Sequence, residues 1–185
     1  MTDYTINSSD SLLLMIDIQD RLFQAMENDM QISLKKNCSI LINTAKEFNI
    51  PLIITEQYRK GLGETIPELR DISGNSLNLE KIYFDCMKDE EIKKAIITSD
   101  KKTVIITGIE SHICVFQTAL SLIANGMKVV IASDGVASRN KEDRNTALNV
   151  LFKAGALIYP TETIAFMLLE KAGTPEFKKL SPLFK

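Results

Sequence analysis

Short apolar segments alternate along the chain with segments whose apolar residues recur every three or four positions. A continuous apolar run is typical of a strand covered on both faces, and the wider spacing is typical of a helix that packs on one side. The pattern predicts five strands, at 11–17, 51–55, 103–107, 127–132 and 156–160, and a weaker strand at 79–84.

Helical spacing fills the intervals between these strands. It predicts helices within 32–48, 89–96, 113–126 and 141–155. Such alternation predicts an α/β fold with a mainly parallel sheet and helices on both faces. The active site of such a sheet lies outside the carboxyl ends of its strands. The interval 56–76 contains three glycines and a proline, and it is predicted to form one long irregular loop.

Composition narrows the class of protein. The chain has 185 residues, of which 45% are hydrophobic and 25% charged, so one compact domain over 1–185 is expected. The net charge is -2 and the basic residues are scattered, which predicts a small-molecule partner rather than nucleic acid or a membrane surface. No apolar run reaches the ~20 residues of a membrane span. Three irregularly spaced cysteines and the lack of a leader-like N-terminus predict a cytoplasmic protein with free thiols.

Three candidate chemical groups lie where predicted strands end. Asp17 ends the first strand, Lys81 lies in the weaker strand, and Cys114 opens the helix after the 103–107 strand. Taken singly, such an aspartate is more often a helix cap and such a lysine more often a surface residue. A cysteine in the first turn of a helix differs, because free amides and the helix dipole lower the thiol pKa. Together the three groups would provide a base, a cation and a nucleophile.

Five motifs resemble the isochorismatase-like cysteine hydrolase superfamily, and within it the group of isochorismatase domain-containing proteins. In chain order they read LLMIDIQDRL, TEQYRKGLGETIPEL, EKIYFD, TGIESHICVFQTALSLIANG and SDGVASRNKEDRNTAL. The resemblance extends over nearly the whole chain. It implies a single Rossmann-like hydrolase domain of three layers, αβα, in which the central layer is a six-stranded parallel sheet of order 3-2-1-4-5-6.

The resemblance also implies a catalytic triad of Asp17, Lys81 and Cys114. It implies a non-proline cis peptide between Ile109 and Glu110, which would aim the Glu110 amide toward the Cys114 amide as an oxyanion hole. In the implied reaction Cys114 gives its proton to Asp17 and attacks a carbonyl-type carbon while Lys81 balances the charge. A water activated by Asp17 then releases the acyl group.

Other residues complete the predicted site. Gln19, Gln57, Tyr58 and Phe84 lie just past strand ends and are predicted to contact the substrate. Nicotinamidases of this superfamily bind a metal through an aspartate and histidines, whereas this chain has one histidine, so no metal and no other cofactor is predicted.

Two cysteines and the histidine are predicted to be structural. Cys38 lies on an apolar helical face and is expected only to pack. Cys86 is expected to pack as well, or else to lie near the site as a second thiol. His112 is two positions before Cys114, and residues two apart on a helix do not face each other.

The predicted function is hydrolysis of a C–N bond in a small amide-like substrate through a thioacyl intermediate. Two alternatives stay open, an isochorismatase proper that cleaves a vinyl ether, and a catalytically idle homologue that binds or scaffolds a partner. No residue pattern specifies the physiological substrate. The amphipathic stretch 174–185, with Phe177, Leu180, Leu183 and Phe184, predicts a homo-oligomer with this segment at or near an interface.

Overall fold

The computed structural model describes residues 4–185, whose six strands form one parallel sheet. The strand order is β3-β2-β1-β4-β5-β6, so the predicted order is confirmed, and every neighbouring pair is parallel. The strands are β1 (Ser11–Ile16), β2 (Leu52–Gln57), β3 (Leu77–Lys81), β4 (Thr103–Ile109), β5 (Lys128–Ala137) and β6 (Leu157–Tyr159).

Helices cover both faces of this sheet, which gives the three layers expected. One face packs against α2, α4 and α8, and the other against α5, α6 and α7. In the described part of the chain no helix combines the length and apolar character needed to cross a membrane. The helices are α1 (Asp20–Gln24), α2 (Asn28–Glu47), α3 (Arg59–Leu62), α4 (Pro67–Ser73), α5 (Glu90–Thr98), α6 (Cys114–Ala124), α7 (Lys141–Lys153), α8 (Thr161–Leu169) and α9 (Pro175–Leu180).

The position of strand β1 between two helical layers explains why its sequence is continuously apolar. Leu13 and Met15 contribute to the core under α2, whereas Leu12, Leu14 and Ile16 contribute to the core under α6. Successive side chains of a strand point to opposite faces, so a strand with helices on both sides has no face left for polar residues.

The structure corrects two predicted boundaries. The weaker strand runs over Leu77–Lys81 rather than 79–84, because the chain bends after Lys81 and leaves Ile82 and Phe84 exposed. The interval 56–76 is not one irregular loop, since it holds the end of β2 and the helices α3 and α4.

The buried Glu56 carboxylate fixes much of that interval. It accepts hydrogen bonds from Thr65 N at 2.7 Å and Thr65 Oγ1 at 2.6 Å, and it forms an ion pair with Arg59. Asn78 Nδ2 on β3 donates to the same carboxylate at 3.0 Å. Burial raises the Glu56 pKa, but these hydrogen bonds together outweigh burial and the pKa lies below its usual value. These contacts span the interval and depend on tertiary structure, which is why local sequence did not predict them.

The C-terminal segment packs on its own chain. Leu180 is buried, and the ring of Phe166 on α8 lies 6.2 Å from the ring of Phe177 and 5.3 Å from that of Phe184, centroid to centroid. Helix α8 thus covers part of the apolar face of this segment, and the prediction that the segment lies at or near an oligomer interface stays a prediction.

Gly108 on β4 is required by the close approach of β1. Its φ is +137°, and a Cβ at this position would lie 2.1 Å from the Ile16 carbonyl oxygen. Because that oxygen belongs to the backbone of the neighbouring strand, no side-chain rotation can relieve the overlap. Gly126 has φ +78°, but a Cβ there would meet no atom within 4 Å.

We therefore expect Gly108→Ala to lower the free energy of unfolding by about 3 kcal/mol or more, since the strands must separate to admit the methyl group. Gly126→Ala is the matched control and carries only the cost of a left-handed alanine, about 1 kcal/mol. Urea denaturation followed by circular dichroism measures both. Equal destabilisation of the two variants would contradict the assigned contact between β1 and β4.

Candidate active site

A buried ion pair joins the carboxyl ends of β1 and β3. Lys81 Nζ lies 2.6 Å from Asp17 Oδ2, and neither side chain is exposed to solvent. Thr55 Oγ1 on β2, the strand between them, donates to Asp17 Oδ1 at 2.8 Å. Asp17 directly follows β1 with φ +53°, a left-handed conformation that aspartate tolerates better than most residues. The structure thus brings together two of the three predicted catalytic residues.

The Lys81 ammonium stays charged in this setting. Burial lowers the pKa of Lys81, but the charge of the Asp17 carboxylate and its hydrogen bond oppose this effect, and the pKa lies above its ordinary value. A buried charge requires such a partner, because desolvation without pairing costs several kcal/mol.

The two predicted glutamines support this pair rather than face a substrate. Gln57 Oε1 accepts from Lys81 Nζ at 2.7 Å, and Gln57 Nε2 donates to the Ile82 carbonyl at 2.6 Å. Gln19 is fully buried, donates to the carbonyls of Gln57 and Gly63, and accepts from Gln57 N. The predicted substrate contact of Gln19 is therefore corrected, because its amide is already bonded inside the protein.

Cys114, the first residue of α6, lies beside the ion pair and is 5% exposed. Burial raises the pKa of the Cys114 thiol, and the negative charge of Asp17 and a hydrogen bond to it raise the pKa further, while Lys81 lowers it. The net pKa is above the ordinary value. The lowering of the thiol pKa predicted for a helix start is thus outweighed at Cys114 by desolvation.

The remaining thiols are packed. Cys38 Sγ lies 2.8 Å from Thr107 Oγ1, and burial raises the pKa of Cys38 to about 12. Cys86 is buried with its Sγ 4.0 Å from Thr55 Oγ1, and burial raises its pKa to about 12 as well. Cys86 therefore lies one side chain away from Asp17, so it is both a packed residue and a second thiol near the site.

The segment between β4 and α6 carries the predicted oxyanion groups. The peptide bond between Ile109 and Glu110 is cis, at the position that the resemblance implied. Within residues 4–185, neither the Glu110 nor the Cys114 amide N–H has an acceptor in the protein. Two backbone donors are therefore unoccupied next to the Cys114 thiol.

Sequence reasoning missed two polar groups beside this segment. Ser111 Oγ is buried and finds no hydrogen-bond partner among the described residues, so a ligand or water oxygen would satisfy it. Arg139 Nε donates to Glu110 Oε1 at 2.9 Å. The sequence predicted a role only for the Glu110 backbone, and the side-chain pairing with Arg139 over 29 positions has no local signal.

His112 is held away from a role as the base of Cys114. Its Nδ1 lies 3.0 Å from Ser138 Oγ, and its Nε2 lies 4.0 Å from Asp143 Oδ2. These contacts join the β4–α6 segment to the loop after β5 and to α7. Among residues 4–185, no three His, Cys, Asp or Glu side chains converge in a way that would hold a metal ion.

Exposed aromatic residues surround the ends of β2 and β3. Tyr58 and Phe84, predicted substrate contacts, are both about half exposed, as are Ile82 and Tyr83. Tyr58 adopts φ +39°, an uncommon conformation for a bulky residue, and a Cβ on Gly61 would lie 2.4 Å from its ring. The ring thus folds over Gly61 next to the Lys81 carbonyl, which accepts from Tyr58 N at 2.9 Å.

Comparison with known proteins gives consistent matches. The sequence profile of the isochorismatase domain matches residues 11–163. Isochorismatase family protein 1A of Dictyostelium discoideum is 36% identical over 184 residues, which cover 96% of this chain and 87% of that protein.

Two solved structures share the fold over nearly their full length. MAR1 ribonuclease from Caenorhabditis elegans has a TM-score of 0.89 at 31% identity, covering 97% of this chain and 91% of that one. The YcaC protein of Escherichia coli, an octameric hydrolase of unknown specificity, has a TM-score of 0.91 at 26% identity, covering 100% and 91%.

Thiol labelling tests the arrangement around Cys114. We expect iodoacetamide to modify Cys114 before Cys38 and Cys86, because only Cys114 retains any exposed surface. Lys81→Met should slow the reaction at Cys114 roughly tenfold, since the loss of the cation raises the thiol pKa. Peptide mass spectrometry over time measures each site.

The labelling rate of Cys38 is the internal control for unfolding, because Cys38 lies on α2 away from Lys81. Equal rates at all three thiols in the folded protein would contradict the special position of Cys114.

Proposed function

The chain belongs to the isochorismatase family, and we propose that it is a metal-independent cysteine hydrolase that cleaves a C–N bond of a small amide-like substrate. The observation that carries this proposal is the Lys81–Asp17 pair at 2.6 Å, buried beside the Cys114 thiol. A buried acid, cation and thiol at one sheet edge fit acyl transfer, and a protein that only binds a partner needs none of them.

The thiol is protonated at rest, so the nucleophile forms during the attack. Cys114 transfers its proton to Asp17 as its sulfur bonds to the substrate carbonyl carbon. Lys81 stabilises the developing negative charge on sulfur. When the C–N bond breaks, protonated Asp17 gives the proton to the leaving nitrogen, which leaves a thioester on Cys114.

Hydrolysis of the thioester reverses the roles of the same groups. Asp17 takes a proton from a water molecule as the water oxygen attacks the thioester carbon. The acid product leaves and the sulfur regains its proton from Asp17. In both steps the carbonyl oxygen becomes negative, and the free amides of Glu110 and Cys114 would donate to it.

Two other activities compete with this proposal. An isochorismatase proper would cleave a vinyl ether at the same site, and a C–N hydrolase is favoured because the thiol lies close enough to the acid for the Asp17 charge to raise its pKa. Ribonuclease activity is named for the similar MAR1 protein of Caenorhabditis elegans. A net charge of -2 and a nearly buried nucleophile do not favour RNA here, because RNA binding relies on exposed basic groups.

A substrate panel tests the reaction directly. Small amides, ureido acids, isochorismate and a short RNA are incubated with the wild type and with Asp17→Asn. We expect turnover of an amide or ureido compound, and a fall in kcat of about 10²- to 10⁴-fold in Asp17→Asn, the usual worth of a positioned general base. Cys114→Ala should be at least as severe.

Each measurement in this experiment has a defined expected result. Turnover should persist in EDTA, because the proposed steps use only side chains and water. The matched control is Asp20→Asn, an aspartate three positions later on α1, which should leave kcat unchanged. Loss of activity in EDTA with recovery on adding Zn²⁺, or near-normal turnover by folded Asp17→Asn, would contradict the mechanism.

We also propose a homo-oligomer. The support is the octameric state of YcaC and the exposed apolar residues Ile82, Tyr83 and Phe84 at the mouth of the site. Light scattering should give a mass above that of one chain, and Tyr83→Lys with Phe84→Lys should lower it. Phe152→Lys, an equally exposed position on α7, is the control. A monomeric wild type at micromolar concentration would contradict this proposal.

A further inference from the structure

The Cys114 segment and the loop after β5 leave the sheet side by side. Gly108 pairs with Val136 and Ile109 with Ala137, and Ser111 N then donates to the Ala137 carbonyl at 2.8 Å. Residue 139 therefore lies two positions past this contact, next to the chain that leads into Cys114. A side chain at 139 is placed at the same sheet edge as the nucleophile.

The Arg139 side chain is fixed at this place by Glu110. Both Arg139 N, at 3.0 Å, and Arg139 Nε, at 2.9 Å, donate to Glu110 Oε1. Glu110 is 5% exposed and Arg139 60% exposed, so the carboxylate is anchored in the protein and the guanidinium extends from it toward solvent. The Glu110 carbonyl in turn accepts from Val115 N at 3.3 Å, which places the pair within one helical turn of Cys114.

This pairing uses only part of the guanidinium. Arginine has five N–H donors, and Glu110 takes the one on Nε. In the part of the chain that the structure describes, the two terminal nitrogens, Nη1 and Nη2, have no acceptor. These nitrogens form the edge of the guanidinium that binds a carboxylate through two parallel hydrogen bonds.

We propose that Arg139 is a specificity-determining residue that binds a carboxylate of the substrate through Nη1 and Nη2. The inference rests on the proposed function, since it assigns the class of substrate, a small amide-like compound with a carboxylate, to the Cys114 site. Glu110 acts as a positioning residue that holds the guanidinium plane in advance, so little side-chain freedom is lost when the anion binds.

The local charge balance makes this contact selective. Asp17 pairs with Lys81 and Glu110 pairs with Arg139, and the Asp143 carboxylate on α7 also acts on the Arg139 charge. The site therefore has no excess of positive charge that would attract anions at long range, and recognition depends on the two hydrogen bonds from Arg139. A single substitution at 139 should therefore change the preference between charged and uncharged compounds of equal size.

Two alkylating reagents test this without a known substrate. Iodoacetate and iodoacetamide have nearly the same size and reactive carbon, but only iodoacetate has a carboxylate. The rate constants for modification of Cys114 by each are measured by peptide mass spectrometry, and their ratio is divided by the same ratio for free glutathione. We expect Arg139→Gln to lower this normalised ratio about tenfold, the worth of a charge-assisted hydrogen bond.

A matched control comes from the opposite face of the sheet, where α2 packs. Lys179 is 65% exposed and pairs with Glu47, the last residue of α2, at 2.7 Å. Lys179→Gln removes one exposed cation from a glutamate pair far from Cys114, and it should leave the ratio at the wild-type value. If Arg139→Gln fails to fold because Glu110 loses its partner, the double variant Glu110→Gln with Arg139→Gln removes both charges and should show the same low ratio.

The outcomes separate the two proposals. An unchanged ratio in folded Arg139→Gln or in the double variant, with Cys114 still modified, overturns the role of Arg139 and leaves the nucleophile intact. An equal fall in Lys179→Gln also overturns it, because the effect would then be general electrostatics. If neither reagent modifies Cys114 in the folded wild type, the nucleophile proposal fails and this inference fails with it.

Discussion

The buried pair between Lys81 and Asp17 is the interaction on which the site depends. Each charge is fully removed from water, and either one alone would cost several kcal/mol of desolvation. Lys81 is held at the end of β3 because Asp17 and Gln57 accept hydrogen bonds from its ammonium group. Removal of one partner would leave the other charge unpaired in the core. The pair therefore contributes both to the stability of the fold and to the proposed reaction.

The strand order makes this pair possible. Asp17 ends β1 and Lys81 ends β3, and β2 lies between them in the sheet. Thr55 and Gln57 on β2 fill that gap with hydrogen bonds to the acid and the lysine respectively. On the other side of β1, strand β4 delivers Cys114 at the start of α6, and Gly108 permits the close contact between these two strands.

The same burial that creates the pair keeps the thiol protonated. Desolvation and the Asp17 charge raise the Cys114 pKa, so the resting protein does not present an exposed thiolate. In the proposed mechanism the negative charge on sulfur develops as the sulfur attacks a substrate carbonyl whose oxygen lies at the free amides.

The sequence alone predicts the layers of the fold and the positions of the three residues of the predicted triad. Continuous apolar runs specify strands buried on both faces, and Asp17, Lys81 and Cys114 each break such a pattern at a strand end or helix start, which is a local signal. Local sequence did not predict the burial of Gln19, the helices within 56–76 or the pairing of Glu110 with Arg139. These features depend on contacts between positions far apart in the chain. The direction of the Cys114 pKa was decided by the tertiary structure as well, because desolvation is set by the atoms packed around the thiol.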